Sequence, residues 1–254
     1  WRYADKGETA ESYALRCIRD LEIYLQENHQ YIAAFILEPL VQCATGMGMY
    51  HSVYLRKARE LCTQYEIHLI DDEIAVGFGR TGKMFAFEHA NIKPDFICLS
   101  KGLTGGYLPL SAVLTTDEIY MAFYENKIEK GFLHSHSYTG NPLACSAALG
   151  TLSYFEGHDV INQNNKTSAY ISERMKILAT LPISNARNIG MIWAFDLEEV
   201  TKKTLKKISM KAIDRGLLIR PIGQTIYFMP PYVINHDEID FMIDTTLEVI
   251  ESSL

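Results

Sequence analysis

The stretch HLIDDEIAVGFGRTGKMFAFEHANIKPDFICLSKGLTGG, residues 68–106, contains two short apolar runs that each lead into a charged residue. The first run, His68–Asp71, is followed by Asp72, and the second, Phe96–Ser100, is followed by Lys101. Largely apolar runs of this length predict strands that are buried on both faces of a sheet. Because ligands collect at the carboxyl ends of parallel strands, we expect Asp72 and Lys101 to face one site.

These two side chains are the pair that pyridoxal phosphate chemistry requires. A lysine amine can bond to the cofactor's aldehyde and then carry protons as base and acid, and a carboxylate can hold the pyridine nitrogen protonated. Lys101 is therefore the candidate catalytic residue, and Asp72 and Lys101 are candidate cofactor-binding residues. Each role has a simpler structural alternative. Lys101 would then be an exposed lysine after a strand. Asp72 would be a helix-capping or turn aspartate, although that role suits its neighbour Asp71 better.

Residues 1–157 are predicted to form most of an α/β domain. Apolar strands alternate with amphipathic helices, which indicates a mostly parallel sheet covered on both faces. The predicted elements are a helix at about 8–28, strands at 33–37 and up to Asp72, a helix at 55–65, and strands up to Lys101 and at 110–114.

Residues 158–254 are predicted to form a small α+β domain, with the boundary at a break near Gly157 or Asn162–Asn165. Asn235 and Glu238 have the spacing of a capping pair for a last helix. The other predicted elements are helices at about 167–180 and 202–215 and strands at 191–197, 217–219 and 225–229.

Composition narrows the class of protein. The net charge of −7 argues against binding to nucleic acid or to an acidic membrane. No stretch is apolar enough to span a bilayer, and the five scattered cysteines lack metal spacing, so a reducing cytoplasm is the expected location. His134 and His136 have no third ligand nearby, and no metal site is predicted. The chain begins with Trp1, and we expect it to be part of a longer protein.

The motifs from Asp72 to Gly82 and from Leu99 to Gly106 resemble those of the class III aminotransferases, which are pyridoxal phosphate enzymes of fold type I. Glu38-Pro39 with Gln42, and Tyr138–Ala144, match the same family in order and spacing. The resemblance covers nearly the whole chain. It implies the cofactor pyridoxal 5'-phosphate and a homodimer whose active site is shared between subunits.

The resemblance also assigns roles to four further residues. Gln42 would approach the cofactor's ring hydroxyl or Asp72, and Ser137 would bind the cofactor phosphate of a neighbouring subunit. Arg220 would bind the substrate carboxylate with two parallel hydrogen bonds, beside Tyr227. The alternatives are side-chain packing for Gln42, a turn for Ser137, a structural salt bridge for Arg220 and a core position for Tyr227.

Within the class, Leu218–Pro221 and Ile226–Tyr232 are most similar to the branch that works in biotin synthesis. That branch implies amino transfer to 8-amino-7-oxononanoate, with S-adenosylmethionine or lysine as donor. Members acting on ornithine or 4-aminobutyrate resemble each other in a glutamate–arginine switch, and this chain has Ala44 and Tyr227 at those positions.

Two other functions stay open. One is another class III aminotransferase acting on a different ω-amine or amino acid. The other is a non-catalytic fragment that keeps the fold, because members of the class have a longer amino-terminal part that supplies a Gly-Ser phosphate turn and a stacking aromatic. The Gly77–Gly82 loop lacks the spacing of a nucleotide-binding loop, and we expect it to form a tight turn and a wall of the cofactor cleft.

Overall fold

The computed structural model describes residues 3–254. Up to Gly157 the described part of the chain contains four α-helices and six strands. In chain order they are α1 (Ala10–Asn28), β1 (Ala34–Leu37), β2 (Val41–Gln42), β3 (Gly48–Met49), α2 (Ser52–Gln64), β4 (His68–Asp72), β5 (Phe96–Leu99), β6 (Ala112–Thr115), α3 (Asp117–Phe123) and α4 (Pro142–Gly157).

The first sheet has four strands in the order β1-β4-β5-β6. β1, β4 and β5 run parallel, and β6 pairs antiparallel with β5. Helices α1 and α2 cover one face, where Leu25, Leu61 and Leu69 pack in one apolar cluster. The predicted mostly parallel sheet of an α/β fold is confirmed, and the carboxyl ends of β4 and β5 lie side by side.

The rest of the chain forms a second, antiparallel sheet with helices packed on it. Its elements are α5 (Val160–Arg174), β7 (Ile183–Ile189), β8 (Ile192–Leu197), α6 (Lys202–Asp214), β9 (Thr225–Phe228) and α7 (His236–Glu251), with the strands in the order β7-β8-β9. Within residues 3–254, no helix combines the length and the hydrophobicity needed to cross a membrane.

The second sheet has a closed core. Every residue of β8 is buried, and Phe195 at its centre packs with Ile208 of α6 and Ile239 of α7. Burying a phenylalanine of this kind contributes roughly 2–3 kcal/mol to folding. Asn235 and Glu238 form the predicted capping box, in which each side chain accepts the other residue's backbone N–H.

Three sequence predictions for this part differ from the structure. Asn162–Asn165 lies inside α5, so a break there is wrong. The helix starts at Val160, earlier than predicted, and within its first turn the Asn162 side-chain amide donates to the Asp159 carboxylate at 2.8 Å. Residues 217–219 have no strand pairing, although Ile219 is buried in the core. β7 was not predicted because its centre is polar. The domain boundary at 157/158 stays a prediction.

Candidate active site

Asp72 and Lys101 lie at the same edge of the first sheet. Asp72 is the last residue of β4 and pairs in register with Cys98 of β5, a short step before Lys101. Side chains alternate along a strand, and the buried Leu69 and Asp71 point to the helix-covered face. Asp72 therefore points to the opposite face. Its Oδ1 accepts a hydrogen bond from the Ile74 N–H at 3.1 Å, which orients the carboxylate.

The backbone at Lys101 is strained. Its φ is +43°, in the left-handed region that residues with a side chain rarely adopt. At Gly102, a Cβ atom would lie 2.9 Å from the Phe78 ring, so only glycine allows this close approach. The Lys101 side chain is exposed, and its amine has no hydrogen bond or ion pair within residues 3–254. A strained lysine with a free amine is typical of a functional position.

A cavity of about 1060 Å³ opens beside Lys101. Its walls come from the loops after β2 and β4, the Lys101 turn, α4 and the segment around β9. The residues that concern the site are Cys43, Ala44, Met47, Gly77, Phe78, Arg80, Lys101, Tyr227 and Tyr232. The Gly77–Gly82 loop thus forms the expected wall. The charged residues that line the cavity, Arg80 and Lys101, are both cations, so the cavity suits an organic molecule with negative charge.

Cys43 links the two predicted cofactor residues electrostatically. Burial raises the pKa of its thiol to about 11, and the Glu38 carboxylate adds to this effect. The Lys101 ammonium lowers the same pKa, and the Asp72 carboxylate raises it. Cys43 and Lys101 both line the cavity, and Asp72 ends β4 at the same sheet edge without lining the cavity itself.

Arg80 is a cavity residue to which our sequence reasoning gave no role. Its Nη1 donates to the Pro230 carbonyl at 2.6 Å, and its guanidinium lies 4.4 Å from the centre of the Tyr232 ring. The Tyr232 hydroxyl donates in turn to the Phe78 carbonyl at 2.7 Å. Burial lowers the pKa of Arg80, but an arginine keeps its charge. The sequence feature that could have identified Arg80 is its position within the glycine-containing loop that follows Asp72.

Two buried carboxyl groups flank Asp72 in the sequence. Asp71 is fully buried in β4 rather than in a turn, and neither of its oxygens has a hydrogen-bond partner within the described residues. Burial, with a smaller contribution from Glu73, raises the pKa of Asp71 to about 8. Burial also raises the pKa of Glu73 to about 7, although its Oε1 accepts the Phe87 N–H at 2.9 Å. Near pH 7 the carboxyl group of Asp71 therefore keeps its proton.

The other predicted site residues divide into two groups. Tyr227 lines the cavity, and it also packs against the cluster of Val41 and Met47, so it fits both roles considered for it. Gln42, Ser137 and Arg220 are exposed and do not line this cavity. Arg220 has no ion pair among the described residues. The functional roles of all of them stay predictions.

The comparison with protein families agrees with this geometry. A family model described as aminotransferase class-III matches residues 2–250. The chain belongs to the class III aminotransferase family. It is 48% identical over 238 residues to the adenosylmethionine-8-amino-7-oxononanoate aminotransferase of Helicobacter pylori, across 91% of this chain and 55% of that protein. Its identity with the Anoxybacillus flavithermus protein of the same name is 39%, across 91% and 53%.

Solved structures of aminotransferases have the same fold. The adenosylmethionine-8-amino-7-oxononanoate aminotransferase of Methanocaldococcus jannaschii superposes with a TM-score of 0.88 at 34% identity, over 93% of this chain and 57% of that one. A Bacillus anthracis aminotransferase superposes with a TM-score of 0.89 at 30% identity, over 94% and 57%. The predicted fold type I is confirmed. The chain spans about half the length of the curated relatives that it matches.

The residues around the cavity fit pyridoxal phosphate. Lys101 offers a free amine, and Asp72 has an oxygen, Oδ2, without a hydrogen bond among the described residues, which can accept one from a ring nitrogen. Arg80 adds a positive charge where an anionic group could lie. This donor set matches an aldehyde-bearing pyridine that carries a phosphate.

Proposed function

We propose that the native protein containing this chain is a pyridoxal-phosphate-dependent aminotransferase of biotin synthesis. It would convert 8-amino-7-oxononanoate to 7,8-diaminononanoate, with S-adenosylmethionine as the favoured donor and lysine as the alternative. The observation that carries the enzymatic part is the free amine of Lys101 in the cavity, with Asp72 at the carboxyl end of the adjacent strand β4. The substrate comes from the names of the relatives at 38–48% identity. We also propose a cytoplasmic location, because all five cysteines are unpaired and disulfides are rare in the cytoplasm.

In this proposal Lys101 performs the proton transfers. When bound, the cofactor supplies a pyridinium ring that withdraws electrons from the substrate's Cα. Lys101 Nζ would take the proton from the substrate's Cα and deliver it to the cofactor's aldehyde carbon, acting first as base and then as acid. Asp72 Oδ2 would accept a hydrogen bond from the protonated ring nitrogen and so keep that nitrogen charged.

The substrate would be oriented by cations and by an aromatic wall. Arg80 and Tyr227 line the cavity, and we propose that Tyr227 shapes the substrate pocket. Arg220 is the proposed carboxylate anchor. Its guanidinium is exposed and lacks an ion-pair partner among the described residues, so it is available for a ligand. Gln42 is proposed to contact the cofactor side of the site from the end of β2.

A homodimer with a shared active site is also part of the proposal. Ser137 lies in an exposed loop, and the apolar side chains around it, Phe132, Leu133, Tyr138 and Leu143, are each about 70% exposed. Several large apolar side chains exposed in one segment are typical of protein interfaces. A second subunit packed there would allow Ser137 to bind the phosphate in the neighbouring site.

The alternative substrate class is a different amine. Structures described as transaminases superpose on this chain with TM-scores of 0.89 at 26–30% identity, so the same fold serves other substrates. A panel of donors and acceptors separates the two functions. Amino transfer to 8-amino-7-oxononanoate supports our proposal, and transfer only to other acceptors favours the alternative.

The first test is mass spectrometry of the native protein after borohydride reduction. A phosphopyridoxyl adduct on the Lys101 peptide would support the cofactor and the role of this lysine. The Lys93 peptide serves as an internal control, because Lys93 is an exposed lysine away from the cavity. Absence of the adduct from the Lys101 peptide would contradict the proposed mechanism and favour the non-catalytic fragment.

A further inference from the structure

One wall of the cavity is a short turn, residues 43–47, which we call the 43–47 wall. Cys43, Ala44 and Met47 from this turn line the cavity. The turn ends in two consecutive left-handed residues, Gly46 with φ +80° and Met47 with φ +53°. Glycine adopts this conformation freely, but methionine does not. Contacts from elsewhere in the chain must therefore hold the wall in its observed shape.

Arg187 supplies such contacts from the second sheet. It lies in β7, and its Nε donates to the Met47 carbonyl at 3.0 Å. Its Nη2 donates to the Gly46 carbonyl at 2.7 Å. The Arg187 side chain is only 6% exposed, so these charge-assisted hydrogen bonds are shielded from water. One planar guanidinium thus holds the two strained residues of the 43–47 wall.

The guanidinium is itself held by a buried carboxylate. Arg187 Nη2 lies 3.1 Å from Asp196 Oδ1, and Asp196 is fully buried in β8. The same oxygen accepts the Thr225 hydroxyl at 2.6 Å, and Oδ2 accepts the Asn185 amide at 3.0 Å. A register shift in β7 between Ser184 and Arg187 brings the arginine to this carboxylate. Asp196 therefore anchors Arg187 to the rigid centre of the second sheet.

We propose that Arg187 is a positioning residue that sets the 43–47 wall, and through Ala44 and Met47 the fit of the keto acid in the cavity. An arginine that served only its own sheet would make its hydrogen bonds there, but two of these bonds reach a cavity wall some 140 residues away in sequence. The effect on substrate rests on the proposed aminotransferase function. The effect on the wall does not.

The test compares two variants of the native protein with a matched control. Arg187→Lys keeps a positive charge near Asp196, but a single ammonium cannot bridge both carbonyls in the same geometry. Gly46→Ala strains the same wall without changing Arg187. The control is Arg174→Lys, because Arg174 pairs with Asp240 and Asp244 on α7, away from the cavity.

Two measurements are made on each protein. Amide hydrogen exchange of the peptide covering residues 43–50 is expected to be about tenfold faster in Arg187→Lys and in Gly46→Ala, because each change favours local opening of the wall. The KM for the keto acid is expected to rise about five- to tenfold with kcat within about twofold, as when ground-state binding is lost. Arg174→Lys is expected to change neither.

The outcomes separate the proposal from its alternatives. Lower stability of Arg187→Lys with unchanged exchange of residues 43–50 would show that Arg187 only supports the second sheet, and would overturn the proposal. Faster exchange with an unchanged KM in active enzyme would overturn the part that concerns substrate. If the native protein has no transaminase activity, the proposed function fails by itself, and the exchange rates still decide whether Arg187 positions the wall.

Discussion

The two sheets of this chain are covered to very different extents. In the second sheet every residue of β8 is buried, and Phe195 has no exposed surface. In the first sheet, Ile36 of β1 is 59% exposed and Val113 of β6 is 61% exposed. The first sheet is therefore open to solvent at positions where the second sheet is fully covered.

The residues proposed to react and the contacts that hold the loops around them belong to different sheets. We call the first sheet, β1-β4-β5-β6, the open sheet and the second, β7-β8-β9, the closed sheet. Asp72 ends β4 and Lys101 follows β5, so the residues that carry the proposed chemistry belong to the open sheet. The closed sheet holds the loops around them: the Arg80 carbonyl accepts the Met191 N–H at 2.8 Å, and a Cβ atom at Gly190 would lie 2.5 Å from that carbonyl oxygen. Only glycine at position 190 permits this contact. The reactive groups are thus placed on the open sheet and positioned by the closed one.

The largest expected effect is the loss of activity in Lys101→Ala. We expect kcat/KM for amino transfer to fall by about 10³-fold or more, because this lysine would carry both proton transfers. Stability should change by less than about 0.5 kcal/mol, because the side chain is exposed. Lys93→Ala is the control. Activity of Lys101→Ala close to that of the control would show that the open sheet does not carry the chemistry.

A pair of truncations tests the contrast in stability between the sheets. Phe195→Ala should lower the free energy of unfolding by about 3–5 kcal/mol, because it leaves a cavity in a closed core. Val113→Ala should change it by no more than about 0.5 kcal/mol, since most of this side chain is exposed. Urea denaturation monitored by circular dichroism measures both. Similar losses in the two variants would contradict the contrast.

Arg220→Ala tests whether the segment next to the closed sheet also binds substrate. We expect the KM for the keto acid to rise about 10- to 100-fold, from the loss of a charged hydrogen-bond pair, with the cofactor's absorbance spectrum unchanged. Arg215→Ala is a control, because Arg215 pairs with Glu248 on the surface. Unchanged kinetics in Arg220→Ala together with a raised KM in Arg80→Lys would assign the anchor to Arg80.

The smallest effect concerns pH and the buried carboxyl of Asp71. Its pKa is raised to about 8 in the folded chain, so the folded state keeps a proton that the unfolded state releases above about pH 4. Stability therefore falls as pH rises from about 4 to about 8. Asp71→Asn should reduce the slope of this fall by about 1 kcal/mol per pH unit, measured as free energy of unfolding against pH.

Glu73, with its pKa raised to about 7, keeps part of the pH dependence in that variant. The matched control is Asp237→Asn at an exposed position of α7. A pH profile of Asp71→Asn that matches the native one would mean that Asp71 is already ionised in the folded chain.

The sequence by itself determined the elements whose signals are local. Helical spacing predicted α1 and α6, apolar runs predicted β1, β4 and β5, and the Asn235–Glu238 pair predicted the start of α7. Asp72 and Lys101 could be placed together because parallel strands bring their carboxyl ends to one edge of a sheet. These signals depend on residues close in sequence or on a general rule of sheet geometry.

Only the tertiary structure decided features that depend on distant residues. The polar centre of β7 forms a strand because β8 supplies its hydrogen bonds, and Arg187 reaches the 43–47 wall only in the folded chain. Burial of Asp71 and entry of Arg80 into the cavity likewise follow from packing rather than from neighbours in sequence. All of these features arise from contacts between residues that are far apart in sequence. A local sequence pattern does not show which distant segment will make such a contact.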